Sequence, residues 1–266
     1  MKYCAINGKS ITNLDVTDRG LAYGDGIFTT AKIDAGQVLL LPEHIERLIS
    51  GCKQLHFQCP DSVTLHHQLT TIANNFRSGV LKVIITAGSG GRGYSRAGLT
   101  AKSSNCIIMV FDFPQQYGIQ ATKGISLGVS QQKIAISPML GGLKHLNRLE
   151  QVMLRAELDD RIEDDLIVRN TNDEVIEATS ANLFYWLDNK LHTPELGFSG
   201  VNGLIRQRII KHDDDIVVKK TTLADLKKSK SMFICNCIMG IMPVNKFDEN
   251  LLSIQPVITL KSVLKV

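Results

Sequence analysis

The chain has 266 residues, 44% hydrophobic and 21% charged, enough apolar material for one large or two smaller cores. Net charge is +4 with a pI near 8.7, and the lysines and arginines are scattered; this disfavours nucleic acid as a partner and suits a small anionic substrate. The six cysteines make no CxxC pair or zinc spacing, and no apolar run reaches the ~20 residues that span a bilayer, so free thiols, no metal and no membrane partner are expected.

Met1–Ile6 shows no secretory signal, which points to the cytoplasm. Tyr3-Cys4-Ala5-Ile6 and Ser10-Ile11-Thr12 flank Asn7-Gly8, the turn signal of a hairpin. Asp18–Ala31 is glycine-rich and crowds Arg19, Tyr23, Asp25, Thr29 and Thr30 before a strand beginning at Ile27. A strand over Val38–Leu41 leads into a helix opened by Pro42, with Ile45, Leu48, Ile49, Cys52 and Leu55 as its buried stripe. Arg47 lies at the edge of that stripe, where an arginine can simply snorkel. A second helix is predicted over 61–77.

Leu81–Thr86 and Cys106–Phe111 read as two strands of a hairpin. Between them, Gly88-Ser89-Gly90-Gly91-Arg92-Gly93 matches the dinucleotide pattern GxGxxG. No helical periodicity follows the glycines, so the helix N-terminus that would hold a pyrophosphate is missing and a nicotinamide enzyme is disfavoured. Arg92 and Arg96 in this loop could meet a carboxylate, or the loop could be an ordinary surface loop. Asp112–Gly118 is the candidate domain linker.

Beyond a strand at Ile125–Val129, Gly141-Gly142-Leu143-Lys144-His145-Leu146-Asn147-Arg148-Leu149-Glu150 stands out. Leu146, Leu149, Val152, Met153 and Ala156 fall at helical spacing, so a helix is predicted from about Lys144 to Leu158. A lysine at the positive end of a helix favours its neutral amine, the form that attacks carbonyls. A solvated first-turn lysine is the alternative. Strands follow at 165–169, 175–178 and 182–187, with Glu177 between a strand and the small residues Ala178–Ala181. Gly200–Arg206 passes from a glycine loop into a helix, whose unpaired first amides can bind an anion or only water. Ser231–Met239 is a late strand ending at Gly240 and Pro243.

Gly-Leu-Lys-His-Leu-Asn-Arg-Leu-Glu-Gln resembles the cofactor-lysine segment of the fold-type IV pyridoxal-phosphate enzymes, the family of the branched-chain and D-amino-acid aminotransferases. Within that family it is most similar to the aminodeoxychorismate lyases. The likeness extends in order over nearly the whole chain. Arg47, in Pro-Glu-His-Ile-Glu-Arg-Leu, resembles the phosphate-binding arginine, and Lys144 the Schiff-base lysine. Glu177, in Glu-Ala-Thr-Ser-Ala-Asn-Leu-Phe, resembles the acid at the pyridine nitrogen. Gly-Val-Asn-Gly-Leu-Ile-Arg resembles the phosphate cup, with amides from Leu204 and Ile205. Asn236-Cys237-Ile238 matches a second phosphate-side loop. There the transaminases usually carry a hydroxyl, so only a backbone contact from Cys237 is expected.

The resemblance implies an α/β fold of two domains. Residues 1–115 would form a smaller N-terminal domain, and residues 116–266 a larger one with a barrel-like sheet that carries the lysine. Pyridoxal 5'-phosphate would be the cofactor and the assembly a cytoplasmic homodimer. The implied activity is release of 4-aminobenzoate and pyruvate from 4-amino-4-deoxychorismate, with amino-acid transamination as the alternative. Thr30 joins Lys144 as a catalytic candidate, and Tyr23, Phe28 and Arg92 are candidates for the substrate.

Overall fold

The computed structural model describes residues 1–100 and 103–264. The chain divides into two compact units, Met1–Pro114 with Lys144–Asn147, and Gln115–Leu143 with Arg148–Val266. The expected boundary at 115/116 ran straight through the sequence. In the structure the four residues Lys144–Asn147 pack with the first unit.

The first unit contains β1 (Tyr3–Ile6), α1 (Arg19–Tyr23), β2 (Gly26–Asp34), β3 (Gln37–Val38), α2 (Leu41–Gln54), α3 (Ser62–Ala73), β4 (Ser78–Thr86) and β5 (Asn105–Phe111). Its strands form an antiparallel sheet in the order β1-β5-β4-β2-β3. Along β2, Ile27, Thr29, Ala31 and Ile33 are buried, whereas Phe28, Thr30 and Lys32 are half-buried. That alternation is the strand period of two, and it decides which side chains share a face. On α2, Ile45, Leu48 and Cys52 are buried as expected, but Ile49 is 37% exposed.

Two expectations in this unit fail. Asn7 and Gly8 do make a tight turn with positive φ, but residues 10–12 form no strand. β1 pairs instead with β5, so its hydrogen bonds are satisfied by a strand about a hundred residues away. The strand expected over Val38–Leu41 stops at Val38, because Leu40 turns left-handed (φ 56) and α2 starts at Leu41.

The second unit contains α4 (Gln116–Lys123), β6 (Ile125–Ile134), α5 (Leu149–Asp159), β7 (Asp165–Asn170), β8 (Val175–Ala178), β9 (Asn182–Leu187) and β10 (Lys190–Pro194). These are followed by α6 (Leu204–His212), β11 (Val217–Lys219), α7 (Leu223–Lys228), β12 (Ser231–Asn236), β13 (Gly240–Phe247), β14 (Asn250–Leu251) and α8 (Gln255–Leu264). The sheet runs β11-β10-β9-β12-β13-β6-β7-β8, with β14 on β13. It curls: Val175 on the terminal strand β8 donates its N–H to Thr221, two residues beyond the opposite terminal strand β11, at 2.8 Å. The barrel-like sheet is therefore present. Its interior is apolar, built on Leu127, Ile167, Leu183, Tyr185, Met232, Ile234, Val244 and Phe247.

The linker expected over 112–118 is partly helical, since α4 begins at Gln116. The late strand stops at Asn236, and Pro243 lies inside β13 rather than beyond a strand end. The neighbouring strand β6 begins pairing only at Val244, so a proline N without hydrogen costs no ladder bond there. None of the described helices is long and apolar enough to cross a membrane.

Candidate functional site

The helix expected to start at Lys144 starts at Leu149. The backbone explains the delay. Phe28 donates its N–H to the Lys144 carbonyl at 3.0 Å, and Leu146 donates to the Gly26 carbonyl at 3.0 Å. Residues 144–146 thus bridge antiparallel to β2, and these groups are unavailable to a helix. Lys144 therefore does not stand at a helix N-terminus, contrary to the expectation from spacing. Its ammonium lies instead 4.4 Å from the centroid of the Phe28 ring, with the Lys82 ammonium 5.4 Å from the same ring. Thr30 is on the same face of β2 as Phe28, opposite Lys82 on β4. Lys144, Phe28 and Thr30 are therefore brought together by strand period and one edge bridge.

The two glycines before Lys144 have separate causes. A Cβ on Gly141 would come within 2.6 Å of the Phe198 backbone, while Gly142 needs a left-handed φ of 77°. Gly142 donates its N–H to the Gly200 carbonyl and accepts from Asn202 N–H, both at 3.0 Å. The predicted stripe of α5 also inverts. Leu149, Val152 and Met153 are exposed, whereas Leu154 and Leu158 are buried.

Arg47, half-buried on α2, is one helical turn from His44, a residue the sequence reading passed over. His44 is 1% exposed and its Nδ1 is 2.6 Å from the Thr29 hydroxyl. Burial, reinforced by the charges of Arg47 and Lys144, lowers its pKa to about 3, so it is neutral at ordinary pH. Thr29 faces this histidine and Thr30 faces away from it, which gives the threonine pair two distinct duties.

Tyr23 ends α1, with its ring 5.5 Å from that of Tyr94 and 4.9 Å from the Arg19 guanidinium. Arg92 is exposed. The loop that carries it is held by neighbours the sequence named without a role. Arg19, 3% exposed, donates to the carbonyls of Gly93, Tyr94 and Ser95 at 3.0–3.1 Å and to Asp25 at 2.8 Å. Arg96 also binds Asp25, at 2.9 Å through Nε and through a second nitrogen. Burial pushes the Asp25 pKa up, but the donors Arg96 and Arg19 outweigh it and hold the carboxyl below its ordinary value. Arg96 is thus already engaged by a carboxylate of its own chain.

In the second unit, Glu177 on β8 is 6% exposed and accepts from Val201 N–H at 3.1 Å and Asn182 Nδ2 at 3.3 Å. Asn182 ties the arrangement together. Its amide also donates to the Val201 carbonyl at 2.8 Å, and its Oδ1 accepts from Gly203 N–H at 3.0 Å. Glycine is required around it: a Cβ on Gly203 would lie 2.1 Å from Asn182 Oδ1, and one on Gly200 would lie 3.1 Å from the Glu177 carboxyl carbon. Gly203 is the N-cap of α6 and offers no side-chain cap, which leaves the helix's opening at Leu204 and Ile205 suited to an anion. Arg206 anchors the helix, donating to Thr193, Asn202 and the Pro194 carbonyl at 2.9–3.2 Å.

Cys237 lies in the turn between β12 and β13. Asn236 Oδ1 shapes that turn by accepting Ile238 and Met239 N–H at 2.9 and 3.0 Å, and its amide donates to the Ser180 carbonyl at 3.1 Å, beside the Glu177 strand. Arg148, the N-cap of α5, is a cation the sequence reading did not single out. Burial lowers its pKa, and the nearby carboxylates of Glu177 and Glu150 oppose that. Asn182 and Arg148 were legible only as members of the motifs around Glu177 and Lys144.

A model of the amino-transferase class IV family matches residues 26–247. The chain is 35% identical to the aminodeoxychorismate lyase of Vibrio harveyi over 244 residues, 90% of this chain and 89% of that one. It is 26% identical to a putative branched-chain-amino-acid aminotransferase of Methanocaldococcus jannaschii, over 93% of this chain and 88% of the other. Among solved structures, 4-amino-4-deoxychorismate lyase from Pseudomonas aeruginosa superposes with a TM-score of 0.90 at 32% identity, covering 99% of this chain and all of that one.

Proposed function

We propose that this chain, which belongs to the amino-transferase class IV family, is a pyridoxal-phosphate-dependent lyase that converts 4-amino-4-deoxychorismate to 4-aminobenzoate and pyruvate. The residues present fit that cofactor. Glu177 is a buried carboxylate fixed by two N–H donors, suited to a protonated ring nitrogen. The glycine-capped start of α6 offers amides to a phosphate, and Gly200 and Gly203 keep side chains out of the cradle. Arg47 supplies a cation for the phosphate, and the Cys237 turn supplies backbone rather than a hydroxyl.

Bound there, the cofactor supplies an electron sink for charge developing at the amine-bearing carbon. Lys144 is the residue that would hold the cofactor, and its amine would take the proton from the amine-bearing carbon of the substrate. Loss of that proton lets the neighbouring C–O bond break, so that enolpyruvate leaves and the ring becomes aromatic. Thr30, on the Lys144 side of β2, is assigned to proton handling near that carbon. Phe28 forms an apolar wall beside the lysine, Tyr23 makes a polar substrate contact and Arg92 takes a substrate carboxylate.

What carries the lyase reading is identity to the Vibrio harveyi lyase of 35%, against 26% to the Methanocaldococcus jannaschii aminotransferase, at similar coverage. The alternative is a transaminase that passes the amine of an amino acid to a 2-oxo acid. The test is release of pyruvate and 4-aminobenzoate from aminodeoxychorismate generated in situ, with no 2-oxo acid added. Equal amounts of both products establish the lyase. No release from cofactor-loaded protein, together with turnover of D- or branched-chain amino acids, would replace it with the transaminase. The product is a folate precursor, and the same reading makes the protein a cytoplasmic homodimer.

A further inference from the structure

The glycine run Gly88–Gly93 matches a dinucleotide fingerprint by spacing, but its polarity in the structure is the reverse. A fingerprint loop presents N–H groups to a pyrophosphate. This loop presents carbonyls to a cation. Those of Gly93, Tyr94 and Ser95 accept from the Arg19 guanidinium at 3.0, 3.0 and 3.1 Å, and that of Gly90 at 3.5 Å. Gly91 permits the fold-back: its φ is 74°, and a Cβ there would lie 2.3 Å from the Ser95 carbonyl oxygen and 3.0 Å from Arg19 Nη1. Arg92 is exposed and stands between Gly90 and Gly93, whose carbonyls are both gripped.

The grip is itself held from the other side. Arg19 donates to Asp25 through Nε at 2.8 Å, and Asp25 also accepts from Arg96 with both carboxylate oxygens. Arg96 donates on to the Leu55 carbonyl, just beyond α2. The root of the loop is pinned by the residue before Arg19. Asp18 is fully buried and accepts from the Thr86 hydroxyl and the Asn105 amide at 2.7 Å each, at the end of β4 and the start of β5. The Arg19 N–H donates to the Gly88 carbonyl at 2.8 Å.

We propose that Arg19 and Asp25 are positioning residues for the substrate: they hold the Gly90–Arg96 loop in one conformation, so that Arg92 meets a substrate carboxylate without first being ordered. A loop ordered during folding does not charge that ordering to binding. The role of Arg92 rests on the function proposed above, whereas the grip on the loop does not. Arginine is needed at position 19 for its shape as well as its charge. Its planar fork serves a carboxylate with Nε and a row of carbonyls with both terminal nitrogens, which a lysine ammonium, a single point of charge, cannot do. Arg19→Lys therefore removes the grip and keeps the charge.

Two readouts on the cofactor-loaded full chain test this. The first needs no substrate: the native protein is given trypsin, and cleavage after Arg92 and Arg96 is followed by mass spectrometry. Arg19→Lys and Asp25→Asn should each speed cleavage at these two bonds about tenfold, with other surface sites cut at the wild-type rate. The second is kinetic. Arg19→Lys should raise KM for the substrate about tenfold with kcat within about twofold, and combined with Arg92→Ala it should be no worse than Arg92→Ala alone. If circular dichroism shows Arg19→Lys unfolded, Arg96→Lys carries both readouts in the same direction. Its side chain is 32% exposed, and it keeps a cleavable cation while losing the fork on Asp25. Unchanged cleavage would overturn the grip. Faster cleavage with an unchanged KM, or KM rises that multiply in the double variant, would overturn the link from the grip to Arg92. A wild type that turns over no aminodeoxychorismate would remove the lyase reading, and the cleavage rates would still decide the grip.

Discussion

His44 shows how one buried side chain couples a candidate site to stability. Its imidazole accepts or donates to Thr29, and burial with two nearby cations keeps it uncharged, its pKa lowered to about 3. In an unfolded chain a histidine titrates near 6.5. Between pH 6.5 and 3 the unfolded state therefore binds the extra proton, and stability rises with pH through that window and levels above it. From pH 7.5 to pH 5 this one group removes about 2 kcal/mol of stability. Urea unfolding at the two pH values checks this: the fall for His44→Asn should be smaller than the wild-type fall by about that amount. Equal falls would mean that His44 does not carry the pH dependence. The sequence could not single this histidine out, because a histidine on a helical stripe looks the same buried or solvated. Lys144 and Glu177 were legible through the motifs around them. Lys144 opens no helix, because its carbonyl is taken by Phe28.

At the scale of elements, α6 was readable and the connection to its cradle was not. The glycine-to-helix passage at 200–206 was visible, but the demand that Asn182 places on Gly203 appears only when β9 is set beside the helix start. Gly203→Ala would bring a Cβ to 2.1 Å from Asn182 Oδ1, so the amide must leave and surrender its hold on Glu177 and Val201. Losing such buried hydrogen bonds costs about 1–3 kcal/mol, so the cofactor Kd should rise about ten- to a hundredfold, with secondary structure by circular dichroism unchanged. An unaltered Kd, read from cofactor absorbance during titration, would separate the Asn182 network from cofactor binding. Other elements were misread for local reasons. The Asn7-Gly8 turn formed without a partner strand, since β5 captured β1. Strand β10 was missed although Asp188 and Asn189 carry the two positive φ values of a tight hairpin turn. Helix α4 buries none of its residues, so no apolar stripe announced it.

For the molecule as a whole, the sequence announced most strands but not their order. The parallel pairing of β13 with β6, more than a hundred residues apart, and the approach of β8 to the end of β11 are non-local facts that no window of residues contains. The same gap between window and molecule explains α5. Its apolar positions define two faces. Leu154 packs with Ile134, Val168, Ile176 and Leu196 within the chain, whereas Leu149, Val152 and Met153 are 73%, 60% and 48% exposed. Helical spacing in the sequence favours the second set, yet the chain covers the first. Large apolar side chains clustered at helical spacing on a surface mark a contact with another molecule, and the homodimer proposed for this family member gives them one. Sedimentation equilibrium at micromolar protein should return twice the 29.4 kDa of the chain. Val152→Glu places a charge in that face and should shift the mass toward the single chain while leaving the Leu154 side, and hence the fold, intact. A wild type that sediments at the single-chain mass would remove the dimer. A Val152→Glu variant that stays at the doubled mass would move the contact to another surface.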